Sequence, residues 1–373
     1  MAYVVERKRN DGTTRFLACY RDPEGRVRSA GTHATRRAAE RAAHREEQKV
    51  LAGSWRDASL GAITFTDYVE KNWLPSKHIE PTTMAAYVSN LNRHFYPFFG
   101  KRLMYQITGS LVQDWVTHAA AEGLSPRSIG KYHTMLHSIF KRAVRDQLIV
   151  TNPCEHTELP KIIARKSRTL TPTEYDQLIA AIPERYRLLV ETAIETGMRW
   201  GELIALRPRH IDFLRKSVTV EETIIEISKK HSPTGERYVA KLYPKDNEPR
   251  TFGVDEDWLA AAAQHIQNLR IGRDQLLFTT STGTPISRNT FRTRIWQPAV
   301  TASGVDFAVR IHDLRHAHAS WLLAEGSDLR SVMERMGHAQ IQTTQKYLHA
   351  LPEADQKNLD ALARARRRRH QPD

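Results

Sequence analysis

Cysteine is scarce in this chain, and Cys19 and Cys154 are the two that occur among its 373 residues. Two cysteines so far apart predict neither a disulfide framework nor a cysteine-based metal site, and they fit a reducing cytoplasm. The sequence also lacks a signal peptide and any apolar run of about eighteen residues, so it predicts neither export nor a membrane span. These absences favour a globular protein of the cytoplasm.

Positive charge is in excess. Lys and Arg number 56 against 42 Asp and Glu, which gives a formal net charge of +14. Such an excess favours a polyanionic partner such as nucleic acid, although solubility alone or a basic tail can also produce it. A chain of 373 residues is too long for one compact core, so its length predicts two or three domains.

Residues 312–347 combine helix signals with polar side chains that are suited to chemistry. One helical pattern ends before Gly326, and a second starts after Ser327, a predicted N-cap, and ends at Gly337. Tyr347 lies on a third, short helical pattern. Taken singly, each polar side chain has a plain structural interpretation as a cap, a solvated residue or a partly buried phenol.

Taken together, these residues resemble the tyrosine recombinases, or phage-type integrases. The family's HxLRH box matches residues 312–316, and its LGH box matches residues 336–338 with Met in place of Leu. The family's nucleophilic tyrosine lies about nine residues further on, where this chain has Tyr347. An earlier TGxRxGEL box matches residues 196–203 at every fixed position. Four boxes in the family's order make the resemblance specific.

The resemblance implies a set of residues that cleave a DNA phosphodiester. They are Arg199, Lys245, His312, Arg315, His338 and the nucleophile Tyr347, with Glu202 and His316 in support. Arginine can hold two non-bridging phosphate oxygens at once, which lysine cannot. In the family's roles His312 assists as base, His338 binds the phosphate and Lys245 protonates the departing 5′-hydroxyl. The 3′-phosphotyrosyl product retains the bond energy, so no cofactor, ATP or metal is expected.

Two of these positions have competing interpretations. His312 and His316 have the i, i+4 spacing of zinc-binding helices, but no HExxH glutamate lies between them, so we predict no metal site. Arg199 lies in the first turn of a predicted helix, where N–H groups favour a phosphate. It can also pair with Glu202 three residues later, and both interpretations stay open.

The position of Lys245 depends on a predicted hairpin. Strand patterns cover residues 218–227, 238–243 and 251–254, and the last two flank a proline-containing connection that carries Lys245. We therefore predict a hairpin with Lys245 near its tip, which is where the family has a lysine. Asp replaces the family's usual Thr after this lysine, so Lys241 is the alternative.

Residues 1–55 have the pattern of a small separate module. Strand patterns at residues 3–7, 16–20 and 27–30 precede a helix that Thr35 caps, which predicts a three-stranded sheet packed on one helix. The resemblance implies that this module binds arm-type DNA sites beside the crossover site. Its predicted DNA contacts are Arg7, Lys8, Arg9, Arg15, Arg21, Arg26 and Arg28. A solvated basic sheet edge is the alternative.

Residues 60–158 have helical patterns throughout, and the clearest opens at Ser125 and runs to about Asp146. The resemblance implies a SAM-like core-binding domain that grips the duplex, and a solvated basic face is the alternative. The predicted DNA contacts on this helix are Arg127, Lys131, Lys141, Arg142 and Arg145. Residues 159–170 have the composition of a linker, which either crosses the DNA or is a plain tether.

The predicted fold is therefore multidomain and mainly α with small β-sheets: the N-terminal sheet and helix, the helical bundle, and a mixed α+β catalytic domain over residues 171–373. The resemblance implies a site-specific recombinase, the integrase of a phage or mobile element. It implies a homotetramer acting on double-stranded core and arm sites through a Holliday junction. Cleavage by Tyr347 in cis and in trans both stay open.

A directionality factor and a host DNA-bending protein are the further partners that the resemblance implies, in a bacterial cytoplasm and on the nucleoid. The enzymatic alternatives are a tyrosine transposase of a conjugative element and a dimer resolvase, although the latter usually lacks the N-terminal module. A DNA-binding regulator that keeps this fold without cleavage is the non-enzymatic alternative.

Overall fold

The computed structural model describes residues 2–8, 12–53, 55, 57, 60–163, 168–242 and 249–337. The chain divides into two compact units, the first made of residues 1–79 and 86–163 and the second of residues 80–85 and 164–373. None of the helices in these described ranges is long and apolar enough to cross a membrane.

The first unit begins with a small antiparallel sheet and one helix. Its elements are β1 (Tyr3–Lys8), β2 (Thr14–Arg21), β3 (Val27–His33) and α1 (Arg36–Leu51), with strand order β1-β2-β3. The Thr35 hydroxyl caps α1 by accepting the Ala38 N–H at 3.3 Å. Ala18, Ala39 and Ala43 are buried between helix and sheet, where small side chains let the two backbones approach closely. The predicted sheet and helix are confirmed.

A helical bundle follows in the same unit. Its helices are α2 (Phe65–Tyr68), α3 (Pro81–Asn90) from residue 86 onward, α4 (Tyr96–Phe99), α5 (Gly109–Ala121) and α6 (Pro126–Arg145), with π-helical turns at Val69–Trp73 and Leu91–Phe95. Ser125 caps α6 as predicted, and Pro126 occupies its first turn. The fully buried aromatic side chains of Trp73, Trp115 and Phe140 fill the core, which confirms the predicted bundle.

The second unit mixes helices with two small antiparallel sheets. Its elements are α7 (Pro172–Ala181), α8 (Glu184–Thr196), α9 (Trp200–Leu203), β4 (Ile211–Asp212), β5 (Ser217–Val220), β6 (Glu222–Glu226), β7 (Tyr238–Leu242), β8 (Arg250–Gly253), α10 (Glu256–Leu269), α11 (Arg288–Phe291), α12 (Gln297–Ala302), α13 (Ile311–Ala324) and α14 (Leu329–Met336). Buried residues of α8 and α13, including Leu189, Ala193, Leu314 and Ala317, lie in its core. This combination of helices and small sheets confirms the predicted fold class, which is multidomain and mainly α with small β-sheets.

The predicted hairpin around Lys245 is wrong in its strand pairing. β7 pairs with β6, whereas β8 pairs with β5, so the two strands that flank Lys245 belong to different sheets. The predicted strand over residues 218–227 is divided at Glu221 into β5 and β6. Leu242 lies opposite Glu222 and Arg250 opposite Val220, so β7 ends and β8 begins beside this break.

Both helices of the HxLRH region begin with a carboxylate that accepts backbone N–H groups, and the second begins one residue later than predicted. α13 begins at Ile311, because the Asp313 carboxylate accepts the Arg310 backbone N–H at 2.8 Å. The N-cap of α14 is Asp328 rather than Ser327, and its carboxylate accepts the N–H groups of Arg330 and Ser331 at 2.9 and 3.0 Å. In both cases a carboxylate accepts backbone N–H groups at the start of the helix, where its negative charge also interacts favourably with the helix dipole.

Candidate active site

Arg199 is fixed at a tight junction between α8 and α9. α8 ends at Gly197, whose left-handed φ of 60° turns the chain toward Arg199. A Cβ at this position would lie 2.6 Å from His318 Cδ2 and 2.9 Å from Met336 Sδ, so glycine is required here for space as well as for conformation. Arg199 is the N-cap of α9, one position earlier than predicted.

Glu202 holds Arg199 from within the same short helix. Its Oε2 accepts the Arg199 backbone N–H at 2.9 Å, and its Oε1 accepts Arg199 Nη1 at 3.1 Å. The ion pair considered from sequence is therefore present. Burial alone would raise the pKa of this carboxyl, but hydrogen bonds and charge from Arg250 and Arg199 hold it below its ordinary value. Glu202 is thus an anion buried between two arginines.

Arg315 brings the second guanidinium to the same place. It lies on α13, is 2% exposed, and donates to the carbonyl oxygens of Gly197 and Met336. Arg199 Nη2 donates to the next carbonyl, that of Gly337, at 2.7 Å. The carbonyl end of a helix carries partial negative charge, so the end of α14 stabilises both cations. Two arginines from separate sequence boxes are therefore positioned by one helix end.

His312 completes the described part of the site. It lines a cleft with Arg199, Arg315 and Arg288, and its ring lies 4.8 Å from that of His316, edge to face. The surrounding protein lowers the pKa of His312 to about 4, first by partial desolvation and then through electrostatic interaction with His316 and Arg315. At neutral pH the imidazole is uncharged and can accept a proton, which a general base requires.

Lys245, His338 and Tyr347 lie outside the described residues, and so does Arg9, so their predicted roles stay predictions. Lys241, the alternative to Lys245, lies on β7, where it forms an ion pair with Glu80. The chain reaches His338 directly from Gly337, whose carbonyl binds Arg199 and whose φ of 61° is left-handed.

The predicted DNA contacts lie in the first unit and differ in exposure. Arg7, Lys8, Arg21 and Arg26 of the N-terminal module are exposed, as are Arg127, Lys131, Lys141 and Arg145 of α6, whereas Arg15 is half-buried. Two others are half-buried and paired with carboxylates: Arg28 with Asp22 and Asp57, at 2.9 and 2.7 Å, and Arg142 with Asp146 at 2.8 Å. Arg26 also pairs with Glu24, at 2.6 Å.

Sequence reasoning missed three residues that surround the site. Arg250 binds both oxygens of Glu202, and Arg335 and the buried His318 pair with each other at 3.0 Å. Arg335 directly precedes the Met-Gly-His box, and His318 lies three residues after Arg315, so proximity to the boxes was a usable signal for both. Arg250 has no such signal, because its contacts come from the pairing of β5 with β8.

One group of side chains has the composition of a metal site. Ligand atoms of His210, Glu221 and Glu222 all lie within 4.8 Å of one another. Arg207 and Arg209 bind the two oxygens of Glu222, and the Arg207 N–H donates to His210 Nδ1 at 3.2 Å. The carboxylate charge is already balanced by guanidinium groups, so this cluster fits an ion-pair network better than a metal centre.

Two arginines and an uncharged imidazole line one cleft, and these groups can bind an anion and accept a proton. Comparisons with known proteins identify the class. The Phage integrase family matches residues 168–354, and the N-terminal SAM-like domain of phage integrases matches residues 64–119. The chain therefore belongs to the phage integrase family of tyrosine recombinases, as the sequence motifs predicted. It is an enzyme of site-specific recombination that cuts and rejoins DNA.

Individual relatives extend the similarity over most of the chain. The integrase of Mycobacterium phage L5 is 26% identical over 362 residues, which cover 94% of this chain and 95% of that protein. The tyrosine recombinase XerC of Anoxybacillus flavithermus is 30% identical over 297 residues, covering 76% and 91%. A lambda integrase tetramer solved on a Holliday junction has a TM-score of 0.58 at 23% identity, covering 90% of this chain and 95% of that one.

Proposed function

We propose that the protein is the integrase of a phage or mobile element and that Tyr347 is its nucleophile. The observation that carries the proposal is the convergence of Arg199 and Arg315 on consecutive carbonyls at the end of α14, ten and eleven residues before Tyr347 in the chain. The similarity to the phage L5 integrase, which extends to the N-terminal module, supports integration rather than resolution of chromosome dimers.

In the proposed reaction the two arginines bind the non-bridging oxygens of the scissile phosphate. A guanidinium has five N–H donors, so it can bind a backbone carbonyl and a phosphate together. Loss of one such donor group typically costs on the order of 10²–10³ in rate. The unperturbed phenol pKa is ~10, so Tyr347 needs a base at neutral pH, and the uncharged His312 serves as that base.

The covalent step exchanges one phosphate ester for another. The phenolic oxygen of Tyr347 forms a bond to phosphorus, and the bond from phosphorus to the 5′-oxygen breaks with its electron pair on that oxygen. Lys245 gives the departing oxygen a proton, while His338 donates a hydrogen bond to the phosphate. A 5′-hydroxyl from another strand then reverses the step, which restores the phosphodiester and releases Tyr347.

In this proposal the exposed basic residues of the first unit bind the DNA. The N-terminal sheet binds arm-type sites, and α6 of the bundle binds the core site, through phosphate contacts. Lambda integrase, whose fold this chain shares, has been solved as a tetramer on a Holliday junction, which supports a tetramer here. A directionality factor and a host DNA-bending protein complete the proposed assembly, which acts on DNA in the bacterial cytoplasm.

A suicide substrate tests the cleavage reaction. A nicked core-site duplex from the element that encodes the protein loses a short strand after cleavage, so the 3′-phosphotyrosyl adduct accumulates. We expect a covalent adduct with the wild-type protein and none with Tyr347→Phe. An adduct that persists in Tyr347→Phe contradicts the assignment of the nucleophile. Sequence-specific DNA binding without any adduct in the wild type favours the non-enzymatic regulator.

A further inference from the structure

Arg250 is an arginine outside all four sequence boxes that nevertheless contacts the candidate active site. It is the first residue of β8, and its side chain is 11% exposed. Its Nη1 and Nη2 donate to Oε1 and Oε2 of Glu202 at 3.2 and 2.6 Å, and its Nε donates to the Arg335 carbonyl at 3.0 Å. The guanidinium therefore binds the Glu202 carboxylate through Nη1 and Nη2 and the Arg335 carbonyl through Nε.

The contact with Glu202 bears directly on Arg199. The Glu202 side chain is 1% exposed and interacts with both arginines. A buried carboxylate without enough compensation attracts any cation within reach, because the low dielectric strengthens the interaction. With Arg250 on both of its oxygens, Glu202 can orient Arg199 without neutralising it. Without Arg250, Arg199 becomes the main counter-ion of Glu202 and loses part of its attraction for phosphate.

The contact with Arg335 fixes the helix end that the catalytic arginines share. The carbonyls of Arg335, Met336 and Gly337 are bound in order by Arg250, Arg315 and Arg199. The side chain of Arg335 returns a hydrogen bond to the Gly253 carbonyl at the other end of β8, at 2.8 Å. These reciprocal bonds join β8 to the end of α14.

We propose that Arg250 is a positioning residue: it balances the charge of Glu202, so that Arg199 is held ready for the scissile phosphate. The inference rests on the proposed role of Arg199 in phosphate binding. Arg250 itself does not touch the DNA; its effect passes through Glu202.

Single-turnover cleavage of the core-site suicide duplex tests this role. Arg250→Gln should cleave about 10²-fold more slowly, the loss expected when a reacting group is misplaced by roughly 1 Å. Arg250→Lys keeps a charge but cannot bind both oxygens of Glu202, so we expect an intermediate loss. Arg330→Gln is the matched control, because Arg330 is an exposed arginine on α14 whose side chain pairs with Glu334. This control should cleave at the wild-type rate.

Two further measurements separate positioning from a general loss of structure. If Arg250 acts through Glu202, the double variant Glu202→Gln/Arg250→Gln should be no slower than the slower of its single variants, whereas independent effects multiply. A duplex with sulfur in place of the bridging 5′-oxygen has a leaving group that needs no proton. The Arg250→Gln defect should persist on this duplex, because phosphate binding is still required.

Each result decides between defined alternatives. Cleavage by Arg250→Gln at the wild-type rate, multiplied losses in the double variant, or recovery on the sulfur-containing duplex would each overturn the inference. If thermal unfolding shows that Arg250→Gln does not fold, Arg250→Lys carries the same comparisons. Absence of an adduct in the wild-type protein contradicts the proposed function, whereas a wild-type adduct with a normal Arg250→Gln contradicts the role of Arg250 alone.

Discussion

Glu202 shows at the scale of single residues why Arg250 lies beside Arg199 in the candidate site. A carboxylate with a 1% exposed side chain is costly to ionise unless it is paired, and here Arg199 and Arg250 lower its pKa despite burial. The partner three residues away was predictable from helix geometry. Arg250 was not, because it is 48 residues distant in sequence and reaches Glu202 through strand pairing.

His318 is a second buried polar residue, and it predicts a pH dependence of stability. Its Nδ1 donates to the Ile194 carbonyl at 2.7 Å, and its Nε2 accepts Arg335 Nε at 3.0 Å. Burial, followed by the charge of Arg335, lowers the pKa of His318 to about 3. The unfolded chain therefore binds a proton near pH 6.5 that the folded protein does not bind until about pH 3.

We expect His318 to destabilise the fold as the pH falls from 6.5 toward 3, by up to about 1.4 kcal/mol per pH unit. Urea unfolding at pH 7.5 and pH 5 measures the change for the wild type and for His318→Gln, which has no group that titrates there. The free energy of unfolding should fall more in the wild type than in the variant. An equal fall in both proteins would show that His318 does not titrate differently on folding.

At the scale of elements, the break between β5 and β6 explains which part of the second unit the sequence could predict. The β-branched run over residues 218–227 correctly indicated strands, but residue patterns do not specify partners. Each half of this run pairs with a different later strand, β5 with β8 and β6 with β7. Helix ends were predicted more closely, because caps and glycines act locally.

The junction of α8 and α9 gives a prediction at the same scale. Gly197→Ala forces a Cβ into left-handed backbone and to within 2.6 Å of His318 Cδ2. Left-handed backbone alone costs a residue with a Cβ roughly 1–2 kcal/mol, and the close contact adds to it. Gly326→Ala is the matched control, because Gly326 also has positive φ, at 94°, but nothing lies within 4 Å of its Cβ position.

Urea unfolding and suicide-substrate cleavage compare the two alanine variants. Both should be less stable than the wild type, and Gly197→Ala more so. Gly197→Ala should also cleave more slowly, because its carbonyl binds Arg315. An equal loss of unfolding free energy in the two variants would mean that the neighbours of Gly197 move to accommodate the Cβ. In that case close packing does not constrain the junction of α8 and α9.

At the scale of the whole molecule, the N-terminal module and the helical bundle have separate hydrophobic cores. Ala18, Ala39 and Ala43 form a small core between the N-terminal sheet and α1, distinct from the aromatic core of the bundle. Composition and the strand and helix patterns predicted this change of architecture, since each part carries its own apolar pattern. What composition could not show is that Arg28 and Arg142 are paired with carboxylates, because these contacts depend on the folded chain.

The separate cores predict separable functions. Deleting residues 1–55 removes the small core and leaves the bundle core intact, so the truncated protein should still cleave the core-site suicide duplex. It should fail in integrative recombination, because the proposed arm-site contacts are gone.

In the full-length protein, replacing the exposed Arg7 and Lys8 by Gln should weaken arm-DNA binding and reduce its salt slope by about 2, one for each phosphate contact. Replacing Lys131 and Lys141 on α6 should weaken core-site binding instead. Equal recombination by the truncated and full-length proteins would mean that the N-terminal sheet does not bind arm sites, and that its basic residues serve as a solvated edge.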